Sequence, residues 1–461
     1  GGLAGLRSAL DTSSVDFRLG ADAFAEDALQ DVHTIVLSPG LSPRDEPVKS
    51  FLELARARQV EVLGEIELFA RALADMSAQG YTPKLLAVTG TNGKTTVTAM
   101  ARQLVEACGL SARAAGNISP AALAALRDAL DTDQLPDVWV LELSSFQIEA
   151  TQTLAPDAAV VLNLTQDHLD WHGSMQAYAA AKARLLSLAR VAVINRDDPL
   201  VAGMVASAGS TAVRSFGRGS PELEGDLGLE GDNGMLWLTA ADAVDFDLPA
   251  APKRKKSQEA PQRPVGRPTR LMPVDALRVR GLHNAMNALA ALALVRSLDL
   301  GWANMLHALR DYAGEPHRTE YVRTVGGVDF VDDSKGTNVG ATVAALDGME
   351  SPAVLIAGGL GKGQDFTPLV RVVREHARAV VLIGRDAATI EQTLESTGVP
   401  LCHAATMAEA VGKGFELAQP GDTVLLSPAC ASMDMFKNYG HRGRCFVEEV
   451  QELALSRGEV A

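Results

Sequence analysis

Residues 85–96, LLAVTGTNGKTT, constrain this chain more than any other stretch. An apolar run, Leu85-Leu86-Ala87-Val88, stops at Gly90. Gly93-Lys94-Thr95-Thr96 then leads into an amphipathic pattern of Val97, Met100, Ala101, Leu104 and Val105. Strand, tight glycine loop and helix follow in that order. Backbone N–H groups at a helix start, together with the helix dipole, favour a polyphosphate. Lys94 can reach terminal phosphates and the Thr95 hydroxyl can hold Mg²⁺. Val88 stands where the usual G-x-x-x-x-G-K-[ST] loop has its first glycine, so the match is incomplete. The plain alternative is a chance glycine turn before a helix. The flanking strand and helix favour an ATP-type nucleotide.

At 461 residues there is room for two to four domains. An apolar content of 47% with 21% charged residues fits a soluble globular protein rather than a disordered one. The net charge of −15 disfavours non-specific nucleic-acid binding, which needs a basic face. Cys108, Cys402, Cys430 and Cys445 show neither zinc-like spacing nor a disulfide framework, and a reducing cytoplasm fits them. No apolar stretch is long enough to span a membrane, and GGLAGLRSAL lacks the layout of a signal peptide.

Strand and helix patterns alternate over 1–80: strands at 33–37 and 60–64, helices at 48–58 and 65–76. A parallel sheet is expected, although the strand and glycine turn that usually open such a domain are missing before it. A linker is expected near 80–83. In the middle region, strands at 137–142, 158–164 and 191–194 each end in polar residues, and a helix spans 175–189. A third unit repeats the pattern with strands at 328–331, 353–357, 379–383 and 423–426. Ligands gather at the C-terminal ends of parallel strands, so these polar ends mark the binding edge. Residues 251–270, APKRKKSQEAPQRPVGRPTR, read as a solvated mobile loop, with a nucleic-acid patch as the lesser alternative. An interdomain hinge is expected at 311–318.

Glu142 ends the strand that follows the loop, where a carboxylate helps hold Mg²⁺ in phosphate-loop enzymes; otherwise it is an ordinary strand-end glutamate. His168, in Asp167-His168-Leu169-Asp170, lies at the same edge, placed to meet a second Mg²⁺ or a substrate oxygen. Lys182 reads as a solvent-facing lysine of an alanine-rich helix. Lys335, Lys362 and Arg318, with Lys182, suit a substrate carrying phosphates and carboxylates held between closing domains. No Ser-His-Asp or Cys-His arrangement stands out.

Eight segments taken together, GTNGKTT (90–96), LELSSFQIE (141–149), TQDHLDWH (165–172), GLHNAMNALAAL (281–292), EPHR (315–318), DDSKGTN (332–338), GGLGKGQDF (358–366) and LLSPACASMDMFKNYGHRG (425–443), resemble the Mur ligases, and most closely their D-glutamate-adding branch. The resemblance runs from about residue 30 to the C-terminus. It implies an α/β fold of three domains: 1–80 for a UDP-sugar, its first strand and glycine turn missing, 81–313 with a phosphate-loop parallel sheet for ATP, and a Rossmann-like 314–461 for an amino acid. It implies cytoplasmic peptidoglycan synthesis. There ATP phosphorylates the alanine carboxylate of UDP-N-acetylmuramoyl-L-alanine (UDP-MurNAc-L-Ala), and D-glutamate attacks the acyl phosphate through a tetrahedral intermediate. A monomer needing no membrane or nucleic acid is expected.

By the same resemblance, Gly90, Thr91, Asn92, Gly93, Lys94, Thr95 and Thr96 hold the ATP phosphates. Thr95 and Glu142 bind one Mg²⁺, and His168 a second. Lys182 matches the lysine that the family converts with CO₂ to a carbamate, an anionic metal ligand, which reverses the plain reading above. Asn117, Ser144 and Gln147, with Ser38, Pro39 and Gly40, match contacts to the UDP-sugar, and His168 also meets substrate. Asn284 and Asn287 lie on the adenine side; Arg318, Asp333 and Lys335 reach the nucleotide across the hinge. Thr337, Lys362, Ser432 and Tyr439 form the D-glutamate pocket, Tyr439 standing where the family often has phenylalanine. Catalysis then falls to Lys94, Glu142, His168, Lys182 and Lys335. A lysine- or diaminopimelate-adding relative is the nearest rival, but no DNPR-like motif is present. Folylpolyglutamate synthase shares the loop but not LSPACASMDMF. A nucleotide-driven switch or motor is a rival of another class, disfavoured by the polar clusters of the third unit.

Overall fold

A computed structural model describes residues 16–208, 212–243, 263–349 and 351–459. Its strands form three sheets of two, nine and six strands. In the smallest, Thr34–Val36 and Glu61–Leu63 pair in parallel, with the helix Val48–Ala57 between them in sequence. A small core of Leu29, Ala55 and Val60 sits beneath.

The strand Lys84–Thr89 lies inside the nine-stranded sheet, between Val138–Glu142 and Ala158–Val161, both parallel to it. Its neighbours explain why these runs read as continuously apolar: both faces are covered. Leu86, Val88, Val138, Val140, Ala158 and Val160 point to one face. They meet the helices Lys94–Ala107, Leu282–Val295 and Trp302–Asp311. Ala87, Trp139, Leu141, Ala159 and Val161 point to the other, where Ile66, Phe69 and Leu73 of the helix Glu65–Ser77 pack with Tyr178, Leu185 and Leu186 of Met175–Leu188. The helix Glu65–Ser77 thus shares the core of the second sheet. Its buried Glu67 accepts hydrogen bonds from the Gln152 and Thr153 amides at 2.7 and 2.9 Å, which fastens it there.

The central sheet is not parallel throughout, as the sequence reading expected. Leu227–Asp232, Met235–Asp242 and Arg267–Pro273 continue it beyond Ala212–Phe216, and the last two pairings are antiparallel. The mobile loop expected over 251–270 therefore ends early: residues 267–270 belong to an edge strand. There Arg270 reaches across Met235–Asp242 to pair with Glu230 and Asp232 of Leu227–Asp232, so basic character serves the sheet edge. Residues 251–262 lie outside the described ones.

The six-stranded sheet is parallel except for its edge strand Glu320–Val325. Its faces are again segregated, with Leu355, Leu382 and Leu425 on one and Ile356, Val381 and Leu426 on the other. The expected hinge is an extended link from the end of Trp302–Asp311, with left-handed backbone at Gly314, His317 and Thr319. Among the described residues no helix is long and apolar enough to cross a membrane.

Candidate active site

The phosphate loop closes over the end of Lys84–Thr89 because two glycines let it. At Gly93, φ is +84° and a Cβ would lie 2.5 Å from Asn287 Oδ1; at Gly90 it would lie 2.9 Å from Leu162 Cβ. Lys94 begins the helix and folds back to donate to the Gly90 and Thr91 carbonyls at 3.0 and 2.8 Å. Burial pushes its ammonium below the usual lysine range. Thr95 Oγ1 donates to Glu142 Oε2 at 2.7 Å, and Asn117 Nδ2 to Oε1 at 2.9 Å. Glu142 is buried at the strand end. A hydroxyl and a carboxylate side by side form the oxygen-donor set that Mg²⁺ prefers.

A cavity of about 980 Å³ opens above this edge. Thr91, Asn92, Gly93, Lys94, Thr95, Thr96, Asn117, Glu142, His168 and Asn287 line it from the central unit. Arg318, Asp333, Lys335, Thr337 and Lys362 line it from the C-terminal side. Burial pushes the Asp333 carboxyl up to about 7, although Ser427 Oγ donates to it at 2.7 Å. Burial, then Arg318 and Lys94, bring Lys335 down to about 8; its Nζ lies 4.0 Å from the Tyr439 ring centre. Two amides join the units: Asn338 Nδ2 donates to Asn92 Oδ1 at 2.9 Å, and Asn92 Nδ2 returns a bond at 3.3 Å.

Lys182 corrects the plain reading of a solvated helix lysine. It is 2% exposed beneath the loop. Its Nζ donates to Gly90 O at 3.0 Å and Thr89 Oγ1 at 3.2 Å, and lies 4.7 Å from the Tyr178 ring centre. Among the described residues no carboxylate hydrogen-bonds it. Burial and then Lys94 press its pKa well below the ordinary lysine value.

Other expected residues sit outside the cavity. Ser38, Pro39 and Gly40 are exposed on the loop after Thr34–Val36. Ser144 and Gln147 form a capping box at the start of the helix Ser145–Glu149. Asn284 turns back to donate to Arg280 O at 2.8 Å. Ser432 is buried in a turn, where its carbonyl accepts the Phe436 amide, and Tyr439 opens the last helix beside Lys335.

Sequence reasoning passed over Tyr178, Asn163, Asn338 and Arg442. Tyr178 OH lies 3.2 Å from Thr91 Oγ1, and its spacing of four residues from Lys182 was the available signal. Asn163 Oδ1 accepts the Asn92 amide at 2.9 Å. Arg442 is fully buried and donates to Ser334 Oγ, Ser334 O and Cys430 O, which fixes the turn that carries Lys335.

His283 lines the cavity with its Nδ1 buried and unpartnered. Burial lowers its pKa to about 4. The unfolded chain therefore takes up a proton below about pH 6.5 that the folded chain refuses, and stability falls by about 1.4 kcal/mol per pH unit down to about pH 4. Thermal unfolding of wild type and His283→Leu at pH 7.5 and pH 5 should show the wild type losing more Tm on acidification. Equal losses would refute the assignment.

Two family descriptions match the chain: the Mur ligase middle domain over residues 88–295, and the Mur ligase glutamate ligase domain over 317–430. A protein of Bordetella bronchiseptica named UDP-N-acetylmuramoylalanine--D-glutamate ligase is 67% identical, the match covering 100% of this chain and 91% of that one. The chain belongs to the Mur ligase family. A similarly named Mur ligase of Burkholderia mallei is 54% identical over 98% of this chain and 90% of its own. The solved MurF ligase of Thermotoga maritima in complex with ADP shares the Mur ligase fold, with a TM-score of 0.58 at 16% identity, covering 92% of this chain and 98% of that one.

Proposed function

We propose that this Mur ligase joins D-glutamate to UDP-MurNAc-L-Ala at the expense of ATP, in peptidoglycan synthesis, and that the cavity above the Gly90–Thr96 loop holds the reacting groups. One observation carries the reading: the phosphate loop with its carboxylate and the cationic wall of the glutamate-ligase unit, Arg318, Lys335 and Lys362, line the same cavity. The names of relatives at 67% and 54% identity supply the substrates.

A carboxylate is a poor electrophile, so the alanine carboxylate oxygen first attacks the γ-phosphorus of ATP. The P–O bond to ADP breaks as the new one forms. The amine of D-glutamate then adds to the acyl carbon, and the tetrahedral intermediate expels phosphate and loses a proton to leave the amide. Lys94, freed from the Gly90 and Thr91 carbonyls, follows the charge of the transferring phosphoryl group. Lys335 offsets the same charge from the opposite wall. Thr95, Glu142 and His168 would hold Mg²⁺, which when bound would draw charge from the phosphoryl oxygens. Lys182 is buried, is hydrogen-bonded to no carboxylate among the described residues, and has a depressed pKa. Its amine thus suits addition to CO₂, with loss of a proton, to give an anionic carbamate beside that centre.

Thr337, Lys362, Ser432 and Tyr439 are proposed to receive D-glutamate, and Asn287 and Asp333 the nucleoside. Ser38–Gly40, Asn117, Ser144 and Gln147 are proposed to meet the UDP-sugar, Ser144 and Gln147 giving up their mutual cap bonds. A monomer is proposed, and ATP with a UDP-sugar as substrates fits the cytoplasm. Phosphate release should require UDP-MurNAc-L-Ala and D-glutamate together. Release with neither, or with L-lysine in place of D-glutamate, would refute the reading.

A further inference from the structure

The segment that carries His168 is held by side chains to which the reaction assigns nothing. His168 adopts left-handed backbone, φ +53°, directly before the short helix Leu169–His172. A non-glycine residue keeps that conformation only when its surroundings over-determine it. Here the helix Ser145–Glu149 does so. Phe146 meets the His168 ring edge-on at 4.9 Å and lies 4.0 Å from the Trp171 ring. His172 Nε2 lies 2.9 Å from Ser145 Oγ. At the other end of that helix, Glu149 Oε2 accepts the Trp171 indole N–H at 3.3 Å.

One residue of the first unit reaches this assembly. Arg44 donates to Glu149 Oε1 at 3.1 Å and to the Trp171 carbonyl at 2.5 Å. It stands four residues beyond the exposed turn Ser38-Pro39-Gly40. As mere glue the ion pair contributes little, because its side chains are 46% and 29% exposed and such pairs are worth about 1 kcal/mol or less. Its geometry is more telling. The planar guanidinium fork grips a carboxylate and a carbonyl on separate segments, so it fixes their relative position as a point charge would not. The ring contacts through Phe146 then carry any shift of Trp171 to His168.

We propose that Arg44, Glu149 and Trp171 form a clasp through which the loop of the first unit sets the position of His168, and that Arg44 is a positioning residue for the reaction. The proposal rests on the reading of His168 as a group that meets metal or substrate. When UDP-MurNAc-L-Ala engages the 38–40 loop, Arg44 draws the Trp171 carbonyl with it and seats His168 before ATP is consumed. The weakness of the exposed pair suits this use, since it is remade in each turnover.

The test uses the full chain without ATP. Titration with UDP-MurNAc-L-Ala should change tryptophan emission in wild type and not in Trp171→Phe, which assigns the signal to Trp171. In Arg44→Ala the change should vanish while calorimetry still records substrate binding. In turnover, Arg44→Ala should lower kcat about tenfold, as expected of a misplaced group, with KM for the UDP-substrate within about twofold. Glu149→Gln should behave alike, the double variant should be no worse than either single one, and Arg44→Lys should recover only part. Full kcat in Arg44→Ala with the emission change intact overturns the clasp. So does a lowered Tm with unchanged kcat, which would make Arg44 a simple brace, and so does the absence of any Trp171 signal in wild type. If wild type binds the UDP-substrate but fails to turn over with D-glutamate, the ligase reading falls, and the emission comparison still decides the clasp.

Discussion

Lys182→Ala is expected to lower D-glutamate-dependent phosphate release by about 10³-fold or more, the scale of a lost charge-stabilising group, and added formate or acetate is expected to restore part of it. The amine sits under the phosphate loop, where among the described residues Gly90 O and Thr89 Oγ1 are its acceptors. A charged ammonium there would face Lys94 without a carboxylate hydrogen-bonded to it, and burial holds its pKa far below the solvent value. A neutral primary amine is the form that adds to CO₂, and the product turns a repelling cation into an anion near Glu142 and Thr95. Alanine removes that anion and leaves a space that a small carboxylate can enter. Unreduced activity in Lys182→Ala, at any carboxylate concentration, would end the carbamate proposal. A loss that no carboxylate relieves would leave the lysine essential for another reason and remove the carbamate from the mechanism.

Glu142→Gln is expected to lower kcat by about 10²- to 10³-fold, an electrostatic effect at the phosphoryl group, and to raise the Mg²⁺ concentration needed for half-activity. The substitution is nearly isosteric. A glutamine oxygen can still accept from Thr95 Oγ1, but its NH₂ faces the Asn117 amide, which now donates to Oε1. The decisive change is charge. Lys94 and Lys182 lie near this carboxylate, and each is influenced by it in the direction that favours the ammonium form. Without it, both cations are harder to sustain and a divalent ion loses an anionic oxygen. Thermal stability within a few degrees of wild type would show that the loss is chemical. A variant with wild-type kcat at wild-type Mg²⁺ would remove Glu142 from the metal site.

Much of this architecture was legible for a physical reason. Val138–Glu142 and Ala353–Gly358 are buried on both faces, so they appear as apolar runs ended by polar or glycine residues. Glu320–Val325 was missed because it is an edge strand with exposed residues, whose pattern merges with a loop. Leu227–Asp232 was hidden by two glycines and two acids in six residues. At the site, the loop and Glu142 were placed by their neighbours in sequence. The depth of Lys182 was not. Its helix is rich in small apolar residues on every side, and only the packing of Tyr178, Leu185 and Leu186 against the sheet decides which way the lysine points. Asn338 stood within a quoted motif, yet its partner lies 246 residues away in the chain, beyond any local pattern.

That long-range pair, Asn92 with Asn338, joins the two units without charge. Two neutral amides exchange hydrogen bonds worth about 1 kcal/mol each, since water replaces them when they part. Neither group titrates, and neither draws counterions, so ionic strength screens nothing in the contact. The strength of this contact between nucleotide loop and amino-acid unit is therefore the same in dilute or concentrated salt and across the physiological pH range. A rise in ionic strength or a drop in pH reaches this ligase through its buried lysines and carboxylates, while this amide pair stays indifferent to both.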